Sequence, residues 1–255
     1  MHSIFPIPAF NDNYIWVWVD ELKKQAMVID PGDAAPVMEF LNQKKLTLNA
    51  ILITHKHHDH TGGISALLSA FPKAAVFSHS IENIQQTTHT VSDGDVIRIN
   101  AHSFKVIHIP GHTLEHVAYY CNPVLFCGDT LFTNGCGRIF EGTAEQMLSS
   151  LKKLMALPDD TQIYCGHEYT LSNIKFALQI EPNNHALKKR FDDAKQLRSQ
   201  NKPTVPSTLK LEKDTNPFLR CHIQAVIDRV SKQIGKSCEA EVDIFCALRE
   251  WKNHF

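Results

Sequence analysis

The chain lacks a long apolar run: nowhere in its 255 residues does a stretch approach the roughly 20 apolar residues that span a bilayer. Its start, Met1-His2-Ser3-Ile4-Phe5-Pro6, has neither the basic segment nor the apolar core of a secretory signal. A soluble, unprocessed, cytoplasmic protein with no membrane partner is therefore expected. An excess of one charge is missing too. The net charge of -1 argues against a general polyanion binder, so nucleic acid is not an expected partner and any basic site must be local. Cysteine is sparse: the seven residues (121, 127, 136, 165, 221, 238 and 246) are odd in number, scattered and never spaced as Cys-x-x-Cys. This fits reduced thiols buried as small hydrophobes rather than a disulfide framework. No repeat of solenoid period is present, and no heptad or apolar strip asks for a second copy, so a monomer is expected.

What the chain holds in quantity is histidine, 15 in all, and its most informative segment is Thr54 to Gly63. There His55, His57, Asp59 and His60 follow directly on the apolar run Ala50-Ile51-Leu52-Ile53, which places metal-ligand residue types at the end of a buried strand. Residues at i and i+2 of an extended segment point the same way, so His55 and His57 can grip one ion while Asp59 and His60 turn toward a second. The alternative is a histidine-rich surface loop without chemistry, although such loops rarely follow a buried strand.

Short β-rich runs dominate from Ile4 to about Tyr169: 14–19, 25–29, 50–53, 75–77, 96–99 and 104–109, several alternating at period two. Helical stretches at 35–43, 64–70 and 144–157 lie between them. The last opens with the capping box Thr143-x-x-Gln146 and continues with Met147, Leu148, Leu151, Leu154 and Met155 at helical spacing. A mixed sheet covered by helices, an α/β fold, accounts for this order. After Tyr169 strand alternation does not return. Helices are expected at 171–181 and 186–200, then a Pro-rich stretch from Lys202 to Pro217 and a helical region from His222 to Trp251. A boundary near 170 is thus expected, between a β-rich body and a helical domain.

Two ions need more ligands, and three apolar runs end in glycine followed by a ligand-type residue: Gly111-His112, Gly128-Asp129 and Gly166-His167. Glycine lets the backbone turn so that the next side chain projects from a sheet edge. If Asp129 bridges, His55, His57 and His112 complete one site, and Asp59, His60 and His167 the other. Five histidines and two aspartates without cysteine suit zinc, and also iron or manganese. His58 is expected to point away, and His116 to be structural or to support a ligand. His79, His89, His102, His108, His185, His222 and His254 have no ligand partner in sequence.

Thr54 to Gly63 resembles the His-x-His-x-Asp-His signature of the metallo-β-lactamase superfamily, and Asp30-Pro31-Gly32, Gly111-His112-Thr113, Gly128-Asp129-Thr130 and Cys165-Gly166-His167 look like its later motifs. This resemblance implies an αββα sandwich with the metals at one edge of two packed sheets. Closer still, nearly the whole chain resembles the glyoxalase II (hydroxyacylglutathione hydrolase) family. The motifs that carry it are Asp12-Asn13-Tyr14, Gly128 to Phe132, Gly135-Cys136-Gly137-Arg138 with Glu141-Gly142-Thr143, Cys165 to Thr170, and Asn216 to Arg220.

The resemblance implies a metallo-β-lactamase-like catalytic domain at 1–170 and a helical glutathione-binding domain at 171–255. The implied reaction is hydrolysis of S-D-lactoylglutathione to D-lactate and glutathione, the second step of methylglyoxal detoxification. Two divalent ions, zinc foremost, are implied, with Asp59 and Asp129 catalytic and Arg138, Tyr169, Arg249 and Lys252 holding glutathione. A local cationic clamp is what a nearly neutral protein needs for a ligand with two carboxylates. Phe140 stands where family members commonly have tyrosine, and Arg138 where lysine is frequent, so contact geometry is expected to differ. A thioester suits the site because its thiol leaving group, with a pKa of about 8.5, needs no strong general acid. Hydroxide bridging the metals is expected to attack the thioester carbonyl, with Asp59 orienting it and Asp30 holding the ligand loop. The rival readings are a mononuclear iron dioxygenase acting on glutathione persulfide, a superfamily phosphodiesterase or nuclease, and a non-catalytic metal-binding module.

Overall fold

The computed structural model describes residues 2–81, 84–238 and 240–255 and resolves the chain into two compact units. The first comprises Met1–His108, Glu115–Cys121 and Leu125–Gly128; the second comprises Ile109–Leu114, Asn122–Val124 and Asp129–Phe255.

In the first unit, six strands form a sheet in sequence order: β1 (His2–Ala9), β2 (Asn13–Asp20), β3 (Gln25–Ile29), β4 (Thr47–Leu52), β5 (Ala75–His79) and β6 (His89–Val91). The first three are antiparallel, and β3 to β6 run parallel. Parallel neighbours need a crossover; α1 (Ala34–Lys44) supplies one, and α2 (His58–Thr61) and α3 (Ile64–Ala70) lie in the next. Strands β7 (Val96–Ile99), β8 (His102–His108), β9 (Val117–Cys121) and β10 (Val124–Gly128) are neighbours in reverse order in a second sheet.

Strand β2 is buried on both faces, which is why its sequence is almost continuously apolar. Ile15, Val17 and Val19 share a core with Val37, Leu41, Ile64 and Leu67 of the helices. From the opposite face Trp18 meets Phe104 at 5.3 Å and Phe126 at 6.1 Å in the other sheet. The unit is therefore layered helix, sheet, sheet. Tyr119 of β9 ties the sheets by donating its hydroxyl to the Ile53 carbonyl at 2.9 Å, and burial holds its pKa well above the ordinary tyrosine value, so the donor keeps its proton.

In the second unit, β11 (Leu131–Phe132) and β12 (Gly135–Cys136) form a hairpin. There follow α4 (Ala144–Met155), β13 (Gln162–Cys165), α5 (Thr170–Ile180), α6 (His185–Ser199), β14 (Ser207–Thr208), α7 (Leu209–Thr215), a 3-10 turn at Pro217–Leu219, α8 (Gln224–Ile234) and α9 (Glu241–Asn253). Helix α4 begins with both arms of the expected capping box, the Thr143 side chain accepting from Gln146 N and the Gln146 side chain from Thr143 N. The Pro-rich stretch departs from expectation. Ser207 and Thr208 pair with Ile163 and Gln162 of β13, a strand too short to show alternation in sequence. The helical region from His222 is two helices, the first ending at Gly235 with φ 72°.

A buried polar hub organises this unit. Glu212, fully buried, pairs with Arg190 at 2.5 Å and accepts from Asn134 N at 2.8 Å, Ser207 Oγ at 2.5 Å and Asn216 Nδ2 at 3.2 Å. Asn134 and Asn216 also bond to backbone in and beside the hairpin and to the Thr215 carbonyl. The helices thus grip the β11–β12 turn through fully satisfied polar groups, the condition under which a buried charge is tolerated.

Candidate metal centre

In the first unit, β4 ends at Leu52 and the histidine run leaves it, folding at His58–Thr61 into the single helical turn of α2. His55 Nε2 lies 3.0 Å from His57 Nδ1, and His60 Nε2 lies 3.4 Å from Asp59 Oδ2. Asp30, at φ 53°, in the left-handed region that aspartate tolerates better than most residues, accepts from Thr54 N at 2.8 Å and Thr54 Oγ1 at 2.7 Å. Its Oδ2 also faces His60 Nδ1 at 3.1 Å. Asp30, His55 and His60 are close enough to share an ion, but the Asp30 carboxylate is engaged by Thr54, so it orients the loop rather than ligating. Asn13 Nδ2 donates to Asp59 Oδ2 at 2.9 Å. His116 stacks on His55 with centroids 4.7 Å apart, and His58 is exposed, as expected. Gly128, at φ 47°, has no room for a side chain, since a Cβ there would stand 2.3 Å from Thr54 Oγ1.

The second unit gathers the other three donors. Asp129 Oδ2 stands 3.2 Å from His167 Nε2 and 3.6 Å from His112 Nε2. The His112 loop is braced by α4, where Ser150 Oγ donates to the Pro110 carbonyl at 2.7 Å and Met147 fills the space beside Gly111. Tyr169 stacks on His167 with centroids 4.7 Å apart and planes 7° apart, and Phe132 meets both rings edge-on.

The hydrogen bonds determine which ring nitrogen faces inward. The Arg138 carbonyl can only accept, so His112 Nδ1, 2.8 Å away, carries the proton; in the neutral ring Nε2 then presents a lone pair to Asp129 Oδ2. The same holds for His60, whose Nδ1 faces the Asp30 carboxylate and whose Nε2 lone pair faces Asp59 Oδ2. Acceptors directed at one another across 3.4 to 3.6 Å are reconciled by a cation between them. Such separations are those of neighbouring ligands about an ion bound at roughly 2.0–2.2 Å. Burial drives the pKa of the nearby Cys165 thiol up to about 12, and its Sγ donates to the His167 carbonyl at 3.4 Å.

Of the expected glutathione contacts, Arg249 is buried and donates to the Cys136 carbonyl at 2.7 Å, with its guanidinium 5.2 Å from the Phe218 ring centroid. Lys252 is half-buried over Phe176 and Phe255. Burial, and then the charges of Arg249 and Arg138, pull its pKa below the ordinary lysine value, so both arginines are within electrostatic reach of Lys252. Arg138 and Phe140 are exposed and Tyr169 is half-buried; Phe140 meets the His112 ring edge-on at 5.2 Å. The Asn13 contact leaves no mark in local spacing, because 46 residues separate it from Asp59. His79 and His108, which sequence left without partners, both face Glu115, at 3.1 and 3.7 Å.

A mixed α/β fold with clustered histidine and aspartate donors defines the class: residues 9–167 match the metallo-beta-lactamase superfamily, and such clusters on that fold support a dimetal site. Residues 168–255 match the family model described as the hydroxyacylglutathione hydrolase C-terminus. The chain is 51% identical over the full length of both proteins to a hydroxyacylglutathione hydrolase of Vibrio campbellii. It belongs to the hydroxyacylglutathione hydrolase family. Among solved structures it is similar to ETHE1 from Myxococcus xanthus (25% identity, TM-score 0.68, covering 98% of this chain and 90% of that one). TTHA1623 in a di-iron-bound form is also similar (26% identity, TM-score 0.54, covering 64% and 91%).

Proposed function

We propose that this chain is a thiolester hydrolase that cleaves S-D-lactoylglutathione, and related S-(2-hydroxyacyl)glutathiones, to the 2-hydroxy acid and glutathione. The observation that carries this reading is the 51% identity to a hydroxyacylglutathione hydrolase over the whole of both chains. The proposed ligands are His55, His57 and His112 for one ion and Asp59, His60 and His167 for the other, with Asp129 common to both. Zinc is the metal proposed first, in a nitrogen and carboxylate donor set that also suits iron or manganese. When bound, the ions supply the Lewis acidity that brings water to hydroxide near neutral pH and polarises the thioester carbonyl.

The chain's own groups do the rest. Asp59 orients the attacking water, and Asp30 and the Arg138 carbonyl hold His60 and His112 with Nε2 turned inward. Arg138, Arg249 and Lys252 draw in the glutathione carboxylates, and Tyr169 borders the peptide. Residues 1–170 are proposed as the catalytic domain and 171–255 as the substrate domain, a functional division distinct from the compact units and supported by family matches that meet between residues 167 and 168. No helix among the described residues is long and apolar enough to cross a membrane; a cytoplasmic monomer is the form proposed.

The test is thiol release from S-D-lactoylglutathione with metal analysis, before and after chelation. Two ions per chain and metal-dependent thiol release are expected; one iron per chain with oxygen uptake on glutathione persulfide would overturn the reading.

A further inference from the structure

Asp59 is a partly exposed member of the proposed ligand set. Its side chain is 41% exposed, whereas the His60 ring beside it is 1% exposed. A half-exposed aspartate samples several rotamers, so burial does not explain why its Oδ2 faces His60 Nε2 at 3.4 Å. A contact that bears on it comes from β2. Asn13, itself 7% exposed, directs one amide edge at two oxygens of the same residue, Asp59 Oδ2 at 2.9 Å and the Asp59 carbonyl at 3.5 Å. Both are acceptors, so the edge facing them is the NH2 group.

We infer that Asn13 is a positioning residue for the metal centre, a conclusion that rests on the dimetal reading above. Its amide holds the Asp59 carboxylate in one plane and occupies part of the hydrogen-bonding capacity of Oδ2. The remaining lone pair is left toward His60, which favours one-oxygen ligation. Because Asn13 is anchored in a six-stranded sheet and Asp59 lies on a four-residue helical turn, the bond lends the rigidity of the sheet to a partly exposed ligand.

Asn13→Asp keeps the shape but replaces the donor with an acceptor, Asn13→Ala removes both, and Asn13→Gln retains an amide donor. Zinc affinity is measured by competition with a chromophoric chelator, alongside the thermal midpoint of the zinc-free protein and kinetics at several free-zinc concentrations. Asn13→Asp and Asn13→Ala are expected to weaken one of the two ions about 10–100-fold, the usual effect of removing a group that orients a ligand, with the other ion unchanged. The zinc-free midpoint should hold, KM should hold, and kcat lost at low zinc should return with added zinc; Asn13→Gln should recover part of the affinity. Unchanged affinities in both Asn13→Asp and Asn13→Ala would overturn the inference. Equal weakening of both ions with a fallen zinc-free midpoint would also overturn it, as a structural role. If the unsubstituted protein binds fewer than two ions, the dimetal reading itself falls.

Discussion

Asp30 Oδ2 lies 3.1 Å from His60 Nδ1 while accepting the Thr54 hydroxyl at 2.7 Å, with all three residues buried. One carboxylate therefore fixes both the tautomer of a proposed ligand and the exit of the ligand loop from β4. Asp30→Asn keeps the volume and tolerates the positive φ, but its NH2 group cannot accept from His60. The ring is then free to place its proton on Nε2, the nitrogen a metal needs. Affinity for one ion is expected to fall about 10–100-fold, with the His60 tautomer read by nitrogen NMR on the metal-free protein.

Asp129 presents a single oxygen to His112 and His167, so its loss should disturb both proposed ion sites together. Asp129→Ala is expected to lower kcat by at least about 100-fold and to reduce zinc below two ions per chain. Metal analysis after dialysis reads the second effect; retention of two tightly held ions would count against Asp129 as the shared ligand.

Arg249 has two tasks that can be separated by measurement. Its bond to the Cys136 carbonyl steadies the strand that leads into Arg138, and its charge belongs to the proposed clamp. Arg249→Ala should raise KM for the glutathione thioester about tenfold, within the range for a lost charged contact, and cost about 1.5–3 kcal/mol of stability. Denaturant titration reports the second quantity independently of substrate.

Lys252 gives a pH signature. Its pKa is lowered by burial and by Arg249 and Arg138, so as pH rises it loses its charge earlier than an ordinary lysine, and the clamp weakens. KM should climb on the alkaline side while charge is lost. Lys252→Arg, which stays charged throughout, should flatten that climb in thiol-release assays corrected for spontaneous hydrolysis.

Glu212→Ala leaves Arg190 buried without its carboxylate, together with the donors Asn134 N and Asn216 Nδ2. A loss of about 3–5 kcal/mol is expected from an uncompensated buried charge, measured by urea unfolding of the metal-free protein.

Much of the fold was readable because burial repeats at short range. The runs at 14–19, 25–29, 75–77 and 96–99 all lie within strands, and 35–43 and 64–70 within helices, because continuous, alternating or helical burial leaves a local mark. Strand β1 escaped, since Pro6 and Pro8 argue against a strand; both are accommodated because β1 is an edge strand paired only with β2. Strand β14 escaped for its length.

The site divides in the same way. The types of donor and their order along Thr54 to Gly63 are properties of the sequence, since neighbours in a turn are placed by the backbone alone. The sequence also determined the glycines that precede His112 and Asp129, whose φ values of 152° and 47° fall where a side chain is strained. Only the tertiary structure decided that Asp30 turns His60, that Asn13 holds Asp59 and that Arg249 reaches Cys136. Those pairs lie 30, 46 and 113 residues apart, and a hydrogen bond over such separations depends on strand register and helix docking, which no local spacing records.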